Sequence, residues 1–282
     1  MTTALRILQL NSGLGGGGTD DQCLRLAQGL RLLGQTVWVG GPEEGAGATL
    51  CRSLDVPLQP MRRTGLLKLG DIVAAARFLR AQSVDVIHAH HGRDYWRAVL
   101  AARLGGARSK VVLTRHMAFS PSSWASRHFL LDRVDAVIAV SHFVARVLKE
   151  GVYEPDSPDP VRRARPPLRG NHAQIEVVPN GVDTARFRPQ PALAQRRAWR
   201  LAPEHYALGV VGAYGGPRGK GQREFLEAAA RLYAARCVQS VTLPVVHRDV
   251  VPKHLGAGIG TARVKRRRLA LRRRGAAEHL AR

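Results

Sequence analysis

The stretch "ALRILQLNSGLGGGGTDDQCLRLAQGLRLLG" (residues 4–34) decides the fold of this chain. It begins with an apolar run, residues 4–10, continues through a glycine-rich loop, and then shows apolar residues at helical spacing until Gly34. This order predicts a buried β-strand, a tight loop, and an α-helix from about Thr19 to Leu33. A strand followed by a glycine loop and a helix is typical of the first unit of an α/β fold.

The same alternation of strand-like and helix-like segments continues to about residue 150. Further strands are predicted at residues 36–41, 84–90, 110–116 and 135–141. Further helices are predicted at residues 71–82, 95–105, 126–134 and 142–151. This pattern predicts a parallel sheet covered by helices on both faces, with its ligand beyond the carboxyl ends of the strands.

The glycine loop allows more than one interpretation. Gly13, Gly15 and Gly18 have the spacing G-x-G-x-x-G, which is a weak indication of a dinucleotide site. Such a site also expects an acid at the end of the second strand, but Glu43 follows a Gly-Gly-Pro bend. An NAD- or FAD-dependent oxidoreductase is therefore the weaker alternative. The loop glycines otherwise bring backbone N–H groups close to an anion or a sugar, or simply form a tight turn.

Histidines follow two of the predicted strands, in "HAHHGRD" (residues 88–94) and "TRHMAF" (residues 114–119). We expect His90 and His116 to act as a general base or as hydrogen-bonding partners of a sugar, because a neutral imidazole works near pH 7. A purely structural role is the alternative. A metal site is not expected, because no carboxylate or cysteine completes a usual ligand spacing.

Composition and charge narrow the class of partner. The chain has 282 residues and a formal net charge of +23, and residues 237–282 contain 11 Lys and Arg against 2 acids. Such a surface attracts anionic partners, whether nucleic acid, anionic lipid or phosphorylated small molecules. A basic nucleic-acid-binding protein is a further alternative, although the tail lacks interleaved aromatic residues and no specific nucleic acid is expected. No membrane span or leader is predicted, and the chain is expected to be cytoplasmic.

The strand–loop–helix pattern begins again at "YALGVVGAYGGPRGKGQREFLEAAARLYAAR" (residues 206–236). We therefore predict an N-terminal domain over residues 1–182, the start of a second domain over residues 183–236, and a basic tail over residues 237–282. The Pro- and Arg-rich residues 153–172 are predicted to be an exposed insertion.

Three segments closely resemble glycosyltransferase family 4, the retaining enzymes of the two-domain GT-B type. These are "DAVIAVSHFVARVLKEGV" (135–152), "IEVVPNGVDTARFRP" (175–189) and "VVGAYGGPRGKGQREFLEAAARL" (210–232), the second being the most specific. The resemblance implies an α/β, GT-B-like architecture with a Rossmann-like N-terminal acceptor domain and an incomplete second Rossmann-like domain that binds the donor.

The resemblance also implies roles for residues of the first domain. Gly16 and Gly17 match a Gly-Gly pair that lies near the donor phosphates and the acceptor. His116 matches the histidine that touches the sugar near its reacting carbon, and His90 matches a frequent polar position beside it. Both histidines are therefore the expected catalytic residues.

For the second domain, the resemblance implies that Lys220 contacts the donor diphosphate with Arg218 as its partner. Their place at a strand-to-helix turn suits this role, although a solvated basic turn is the alternative. The family's E-x(7)-E signature is missing, since no two glutamates after Asp183 are eight residues apart. We therefore expect that the reading frame is interrupted near residue 236 and that the donor domain is truncated, with an inactive chain as the alternative to an active transferase.

The expected reaction is transfer of a hexose-type sugar from a nucleotide sugar to a glycan or lipid-linked acceptor, as in the synthesis of polysaccharide or lipopolysaccharide. The nucleotide sugar is a substrate, and neither a cofactor nor a metal is expected. The basic residues Arg62, Arg63 and Lys68, together with "RRARPPLR" (162–169), also suit a peripheral contact with anionic membrane.

Overall fold

A computed structural model describes most of the first 191 residues and two later helices. The described residues are 4–61, 69–106, 108–118, 120–151, 166–191, 193–198 and 221–234. The chain divides into two units, residues 1–188 and 189–282, and every described strand belongs to the first.

The first unit contains one parallel sheet. Its strands are β1 (Arg6–Leu10), β2 (Thr36–Gly41), β3 (Leu58–Pro60), β4 (Val86–Ala89), β5 (Lys110–Arg115), β6 (Ala136–Ala139) and β7 (Ile175–Val177). They lie in the order β3-β2-β1-β4-β5-β6-β7. The chain adds strands on one side of β1 and then on the other, so the order reverses between β1 and β4.

Helices connect these strands and cover the sheet. They are α1 (Gly18–Leu32), α2 (Ala46–Ser53), α3 (Leu69–Ala81), α4 (Gly92–Leu104), α5 (Trp124–Phe129) and α6 (His142–Glu150). Single 3-10 turns lie at Leu131–Arg133 and His172–Gln174. The described part of the second unit consists of α7 (Leu193–Ala198) and α8 (Gln222–Ala234).

The side chains of β1 show why the strand is apolar along its whole length. Successive side chains of a strand point to opposite faces. Ile7 packs in one buried cluster with Leu24 of α1, whereas Leu8 belongs to a second cluster that includes Ile72 of α3. Gln9 is the polar residue of this strand and is fully buried. Its buried carboxamide oxygen has a polar partner in the site described below, whereas its Nε2 has no hydrogen-bond partner among the described residues.

The structure confirms the parallel α/β fold and corrects parts of its outline. The predicted strand over residues 36–41 is confirmed, whereas α2, β3 and α7 were not predicted. The predicted helix over residues 126–134 is wrong in its bounds, because Ser123 caps α5 by accepting a hydrogen bond from the Ser126 N–H. The helix therefore begins at Trp124, and a 3-10 turn follows it. The strand and loop predicted at residues 206–220 lie outside the described residues.

Candidate functional site

The candidate site lies at the carboxyl ends of β1, β4 and β5, where the strand order reverses. Ligands of open α/β sheets bind in the crevice at such a switch point. Three segments meet there, namely residues 11–18 after β1, residues 88–91 at the end of β4, and residues 115–118 after β5. The structure thus brings the predicted residues Gly16, Gly17, His90 and His116 to one edge of the sheet.

The glycine loop is folded by its own polar groups. The Asn11 carboxamide oxygen accepts hydrogen bonds from the N–H groups of Gly13 at 3.0 Å and Leu14 at 3.2 Å. This bonding turns the chain sharply as it leaves β1. The backbone then has positive φ at Leu14 (36°) and at Gly16 (93°). A positive φ is unfavourable for most residues, so glycine is the favoured residue at position 16.

The carboxylate of Asp20 closes this loop. One oxygen accepts hydrogen bonds from the N–H groups of Gly16 at 3.0 Å and Gly17 at 3.2 Å. The other accepts from Asn11 Nδ2 and His91 Nε2, both at 3.0 Å. Burial alone would raise the pKa of Asp20, but the hydrogen bonds from His91, Gly17 and Asn11 outweigh it and lower that pKa well below its usual range.

The loop therefore already holds an anion, and that anion is part of the chain. Asp20 lies in the first turn of α1, where the helix dipole favours negative charge. The N–H groups of Gly16 and Gly17, which were expected near a donor phosphate, bond to it in this structure. Their contact with the donor remains a prediction.

Gly13 is the loop glycine that packing requires. A Cβ atom on Gly13 would lie 2.7 Å from His91 Nε2 and 3.2 Å from Asn11 Oδ1. Any larger residue would push His91 away from Asp20, to which it donates its hydrogen bond.

Three histidines form a row beside the loop. His88 Nε2 lies 2.7 Å from Thr114 Oγ1, and the rings of His88 and His90 have centroids 4.3 Å apart. His90 Nε2 lies 2.7 Å from the Gln9 carboxamide oxygen, and His90 Nδ1 lies 3.3 Å from His116 Nε2. With the Gln9 oxygen facing it, His90 Nε2 carries the proton and His90 Nδ1 accepts from His116 Nε2–H.

All three histidines are neutral near pH 7. Burial lowers the pKa of His88 to about 3 and that of His116 to about 4, and it holds the pKa of His90 well below 6.5. The neighbouring histidines lower each of these pKa values further. Neutral hydrogen bonds thus connect Gln9, His90 and His116, while His88 bonds to Thr114 and stacks beside His90.

The two predicted catalytic histidines differ in exposure. His90 is buried, with 3% of its surface exposed, whereas His116 is half-buried. If Nε2 of His116 donates to His90, its Nδ1 is left as a hydrogen-bond acceptor for a ligand. The geometry therefore places His116 at the surface of the site and His90 behind it.

Sequence reasoning missed several residues that hold the site together. Asp94, fully buried, accepts a hydrogen bond from the Ser12 N–H at 2.9 Å and pairs with Arg97 at 3.4 Å. Burial raises the pKa of Asp94, against the effect of these hydrogen bonds and charges. Two signals were present in the sequence: Asp20 stands three residues after the helix N-cap, and Gln9 interrupts an apolar strand.

The end of β2 bears on the oxidoreductase alternative. A Cβ atom on Gly40 would lie 2.9 Å from Met61 Sδ, and one on Gly41 would lie 2.5 Å from Leu14 Cδ1. Apolar side chains therefore pack closely against this strand end, where a dinucleotide site would place an acid for the ribose. Glu43, the nearest acid in sequence, is exposed.

Other predicted features fall elsewhere. Arg218 and Lys220 lie outside the described residues, as do Arg62, Arg63 and Lys68. Within the described ranges, no three His, Cys, Asp or Glu side chains are placed to hold one metal ion. The expectation of a metal-independent reaction remains a prediction. None of the helices in the described ranges is long and apolar enough to cross a membrane.

A comparison with family models decides the family. Residues 16–158 match the model of glycosyltransferase family 4, and this match spans half of the chain. The chain belongs to glycosyltransferase family 4. The match begins at Gly16, within the glycine loop, and includes the histidine row.

Solved structures support the same fold for this family 4 chain. Anabaena HepE in complex with UDP and glucose has a TM-score of 0.59 and 19% identity, over 85% of this chain and 60% of HepE. A glycosyltransferase from Rickettsia africae has a TM-score of 0.62 and 19% identity, over 83% of this chain and 59% of that one. The fold is thus α/β, Rossmann-like and GT-B-like.

The chain spans about 60% of the length of these solved proteins. No curated protein sequence matches it.

Proposed function

We propose that this chain transfers a hexose-type sugar from a nucleotide-sugar donor to a glycan or lipid-linked acceptor. Its family supports a glycosyltransferase, and the similar HepE structure with bound UDP-glucose favours a nucleotide sugar as donor. The observation that carries the proposal is the half-buried, neutral His116, which His90 and Gln9 hold at the switch point of the sheet.

The neutral charge of His116 suits this chemistry. Breaking the bond between the anomeric carbon and the phosphate builds positive charge on the sugar, and a cationic imidazole there would oppose it. A neutral His116 instead accepts a hydrogen bond from a sugar hydroxyl through Nδ1. His90 and Gln9 then act as positioning residues, because they are buried and reach the sugar only through His116.

The leaving nucleoside diphosphate gains negative charge in the same step. We assign its stabilisation to Lys220 and Arg218, as the sequence resemblance implies, without a metal. Cations held at a leaving group in this way lower the barrier of the reaction.

The first test is release of UDP or GDP from a panel of nucleotide sugars by the full chain, with glycan or lipid-linked acceptors present to receive the sugar. We expect His116→Ala to lower the rate by about a hundredfold, which is the usual cost of removing one positioned hydrogen-bonding group at a reacting centre. His172→Ala is the matched control, since His172 is also half-buried but bonds only to the Leu168 backbone carbonyl. Equal rates for the wild type and His116→Ala would contradict the proposal.

Thermal unfolding tests the class of ligand without any turnover. A ligand that binds the folded state raises the unfolding temperature. We expect UDP or GDP to do so and NAD or FAD to have no effect. Protection by NAD or FAD alone would favour the oxidoreductase alternative.

A lipid-linked acceptor places the protein at a membrane surface. We propose a cytoplasmic protein in peripheral contact with the inner face of the membrane. The net charge of +23 supports this, since each basic residue near an anionic surface contributes about 1 kcal/mol.

A further inference from the structure

We propose that one surface of the first unit, formed by α5 and residues 166–169, docks on a bilayer of anionic phospholipid. We call it the aromatic–arginine surface and define it by Trp124, Arg127, His128, Phe129 and Arg169. It deepens the membrane contact proposed above and rests on that proposal. Exposed aromatic rings, two arginines that form no ion pair within the described residues, and a hydrogen bond from α4 to α5 support the assignment.

The aromatic part consists of three side chains of α5 in mutual contact. Trp124 is 61% exposed and Phe129 is 41% exposed, and their ring centroids are 5.2 Å apart. The His128 ring lies 4.8 Å from that of Trp124. Aromatic side chains are favoured at the boundary between lipid and water, where an apolar ring is buried and its polar edge stays wet. A bilayer therefore provides the burial that these rings lack.

The arginine part lies beside these rings. A pocket of about 240 Å³ is lined by Arg127, His128, Arg169 and two prolines, Pro166 and Pro167. The Arg127 Nε–H is buried and has no hydrogen-bond partner. A buried donor of this kind normally has an acceptor, and the arginine fork fits the oxygens of a phosphate.

The charge of this surface favours an anion. The Arg127 and Arg169 side chains form no ion pair within the part of the chain that the structure describes. The neighbouring acid is the exposed Asp132, which lies beside Gly170. Two guanidinium groups that have no ion-pair partner in the described ranges lie next to exposed aromatic rings, and together they match the phosphate and the glycerol layer of an anionic leaflet.

The position of the surface fits a lipid-linked acceptor. Trp96, in the first turns of α4, donates a hydrogen bond from its Nε1 to Ser126 Oγ of α5 at 2.8 Å. The helix α4 starts at Gly92, directly after the site residues 88–91. The start of α5 is therefore fixed beside the end of α4 that faces the site. A bilayer on α5 would therefore lie beside the helix that directly follows the site residues of β4.

The test is sedimentation of the full chain with vesicles. One set contains phosphatidylglycerol mixed with phosphatidylcholine, and the other contains phosphatidylcholine alone. Because each arginine contributes about fivefold to binding of an anionic surface, we expect Arg127→Ala/Arg169→Ala to weaken binding to the mixed vesicles roughly 25-fold. We expect no binding to phosphatidylcholine alone.

The matched control is Arg77→Ala/Arg80→Ala on α3. It removes the same charge from another surface pocket, which is not lined by aromatic side chains such as those of α5. We expect a loss of less than about threefold, because distant charges are screened by salt. Equal losses in both double variants would show that net charge alone drives binding and would overturn the proposal.

Trp124 gives a second readout that needs no charge change. Brominated phosphatidylglycerol in the vesicles quenches a tryptophan that enters the bilayer, and we expect this quenching to disappear in Trp124→Phe. Quenching that persists in that variant would overturn the proposal. So would tight binding of glycerol phosphate in solution, because the pocket would then hold a free phosphate.

These measurements require neither a sugar donor nor a transfer reaction. If vesicle binding follows the prediction but no nucleotide is released, the membrane surface stands and the proposed transfer fails. Thermal unfolding of each variant shows whether the fold is retained.

Discussion

The glycine loop and the histidine row lie at the same edge of the sheet, but they differ in how their polar groups are used. In the loop, the N–H groups of Gly16 and Gly17 are bonded to the Asp20 carboxylate, whose pKa is lowered by these bonds. In the row, the hydrogen bonds are neutral and lead from buried Gln9 to half-buried His116. The loop is closed on itself, whereas the row ends at a ring that a ligand can reach.

The glycine loop therefore supports the site, whereas the histidine row contains the residue that a ligand can contact. A charged group that accepts several hydrogen bonds fixes the backbone around it and is costly to remove. Removing a neutral ring at the end of a chain of hydrogen bonds costs less stability. Such a ring is, however, better placed to contact a substrate. We therefore expect substitutions in the loop to change mainly stability, and those at His116 to change mainly the rate of transfer.

The largest expected effect is that of Asp20→Ala. The substitution leaves four donors without their acceptor, namely the N–H groups of Gly16 and Gly17, Asn11 Nδ2 and His91 Nε2. Loss of a buried, hydrogen-bonded carboxylate usually costs a few kcal/mol, so we expect the free energy of unfolding to fall by about 3 kcal/mol. Urea unfolding followed by circular dichroism measures this change.

The neighbouring residue provides the control for this prediction. Asp21 forms only an exposed ion pair with Arg25, at 2.8 Å, and such pairs contribute less than about 1 kcal/mol. Similar losses for Asp20→Ala and Asp21→Ala would mean that the loop is not held by Asp20.

The histidine row is expected to make the fold sensitive to acid. The folded pKa of His88 is about 3, below its ordinary value of 6.5, so the unfolded chain binds the proton first. Stability is therefore complete above pH 6.5 and falls as the pH drops towards the folded pKa, by about 1.4 kcal/mol per pH unit for one histidine. Over the first one and a half units, His88 should contribute a loss of about 2 kcal/mol.

His88→Gln isolates this contribution. Glutamine keeps a hydrogen-bonding group near Thr114 but does not titrate, so the variant should lose less stability on acidification than the wild type. The measurement is the free energy of unfolding at several pH values between neutral and mildly acidic. Parallel pH profiles for the wild type and His88→Gln would refute the prediction.

The sequence was sufficient for most of the strands and helices in the first unit, because apolar runs and helical periodicity are local signals. It was also sufficient for the position of His90 and His116 at the same sheet edge, since parallel strands share that edge. It did not predict α2 or β3, whose short segments between residues 46 and 60 have too few residues to show a clear period.

The bonding inside the site was not predictable in the same way. Asp20 and His91 are 71 residues apart, and Gln9 and His90 are 81 residues apart. Such contacts depend on which strands become neighbours, and this order is not a local property of the chain. The glycines of the loop alone led to the prediction of an anion site. The acid that accepts hydrogen bonds from the loop N–H groups, Asp20, lies in the following helix.

The smallest expected effects come from two adjacent glycines and sharpen the same comparison. Gly16 has a φ of 93°, which strains any other residue, so Gly16→Ala should lower the free energy of unfolding by about 1 kcal/mol or more. Gly17 has an extended φ of −97°, and a Cβ atom there would meet only Asp20 Oδ2 at 4.0 Å. Gly17→Ala should therefore change stability by less than about 0.5 kcal/mol.

Gly16 and Gly17 both donate a hydrogen bond to Asp20, so a role in ligand binding is what would distinguish one from the other. If Gly17 approaches the donor closely, as the family resemblance implies, a methyl group there should weaken UDP binding while the unfolding free energy stays unchanged. Calorimetric titration of UDP into Gly17→Ala measures this directly. Unchanged UDP affinity would leave the loop with a structural role alone and would place the contact with the donor entirely on other residues.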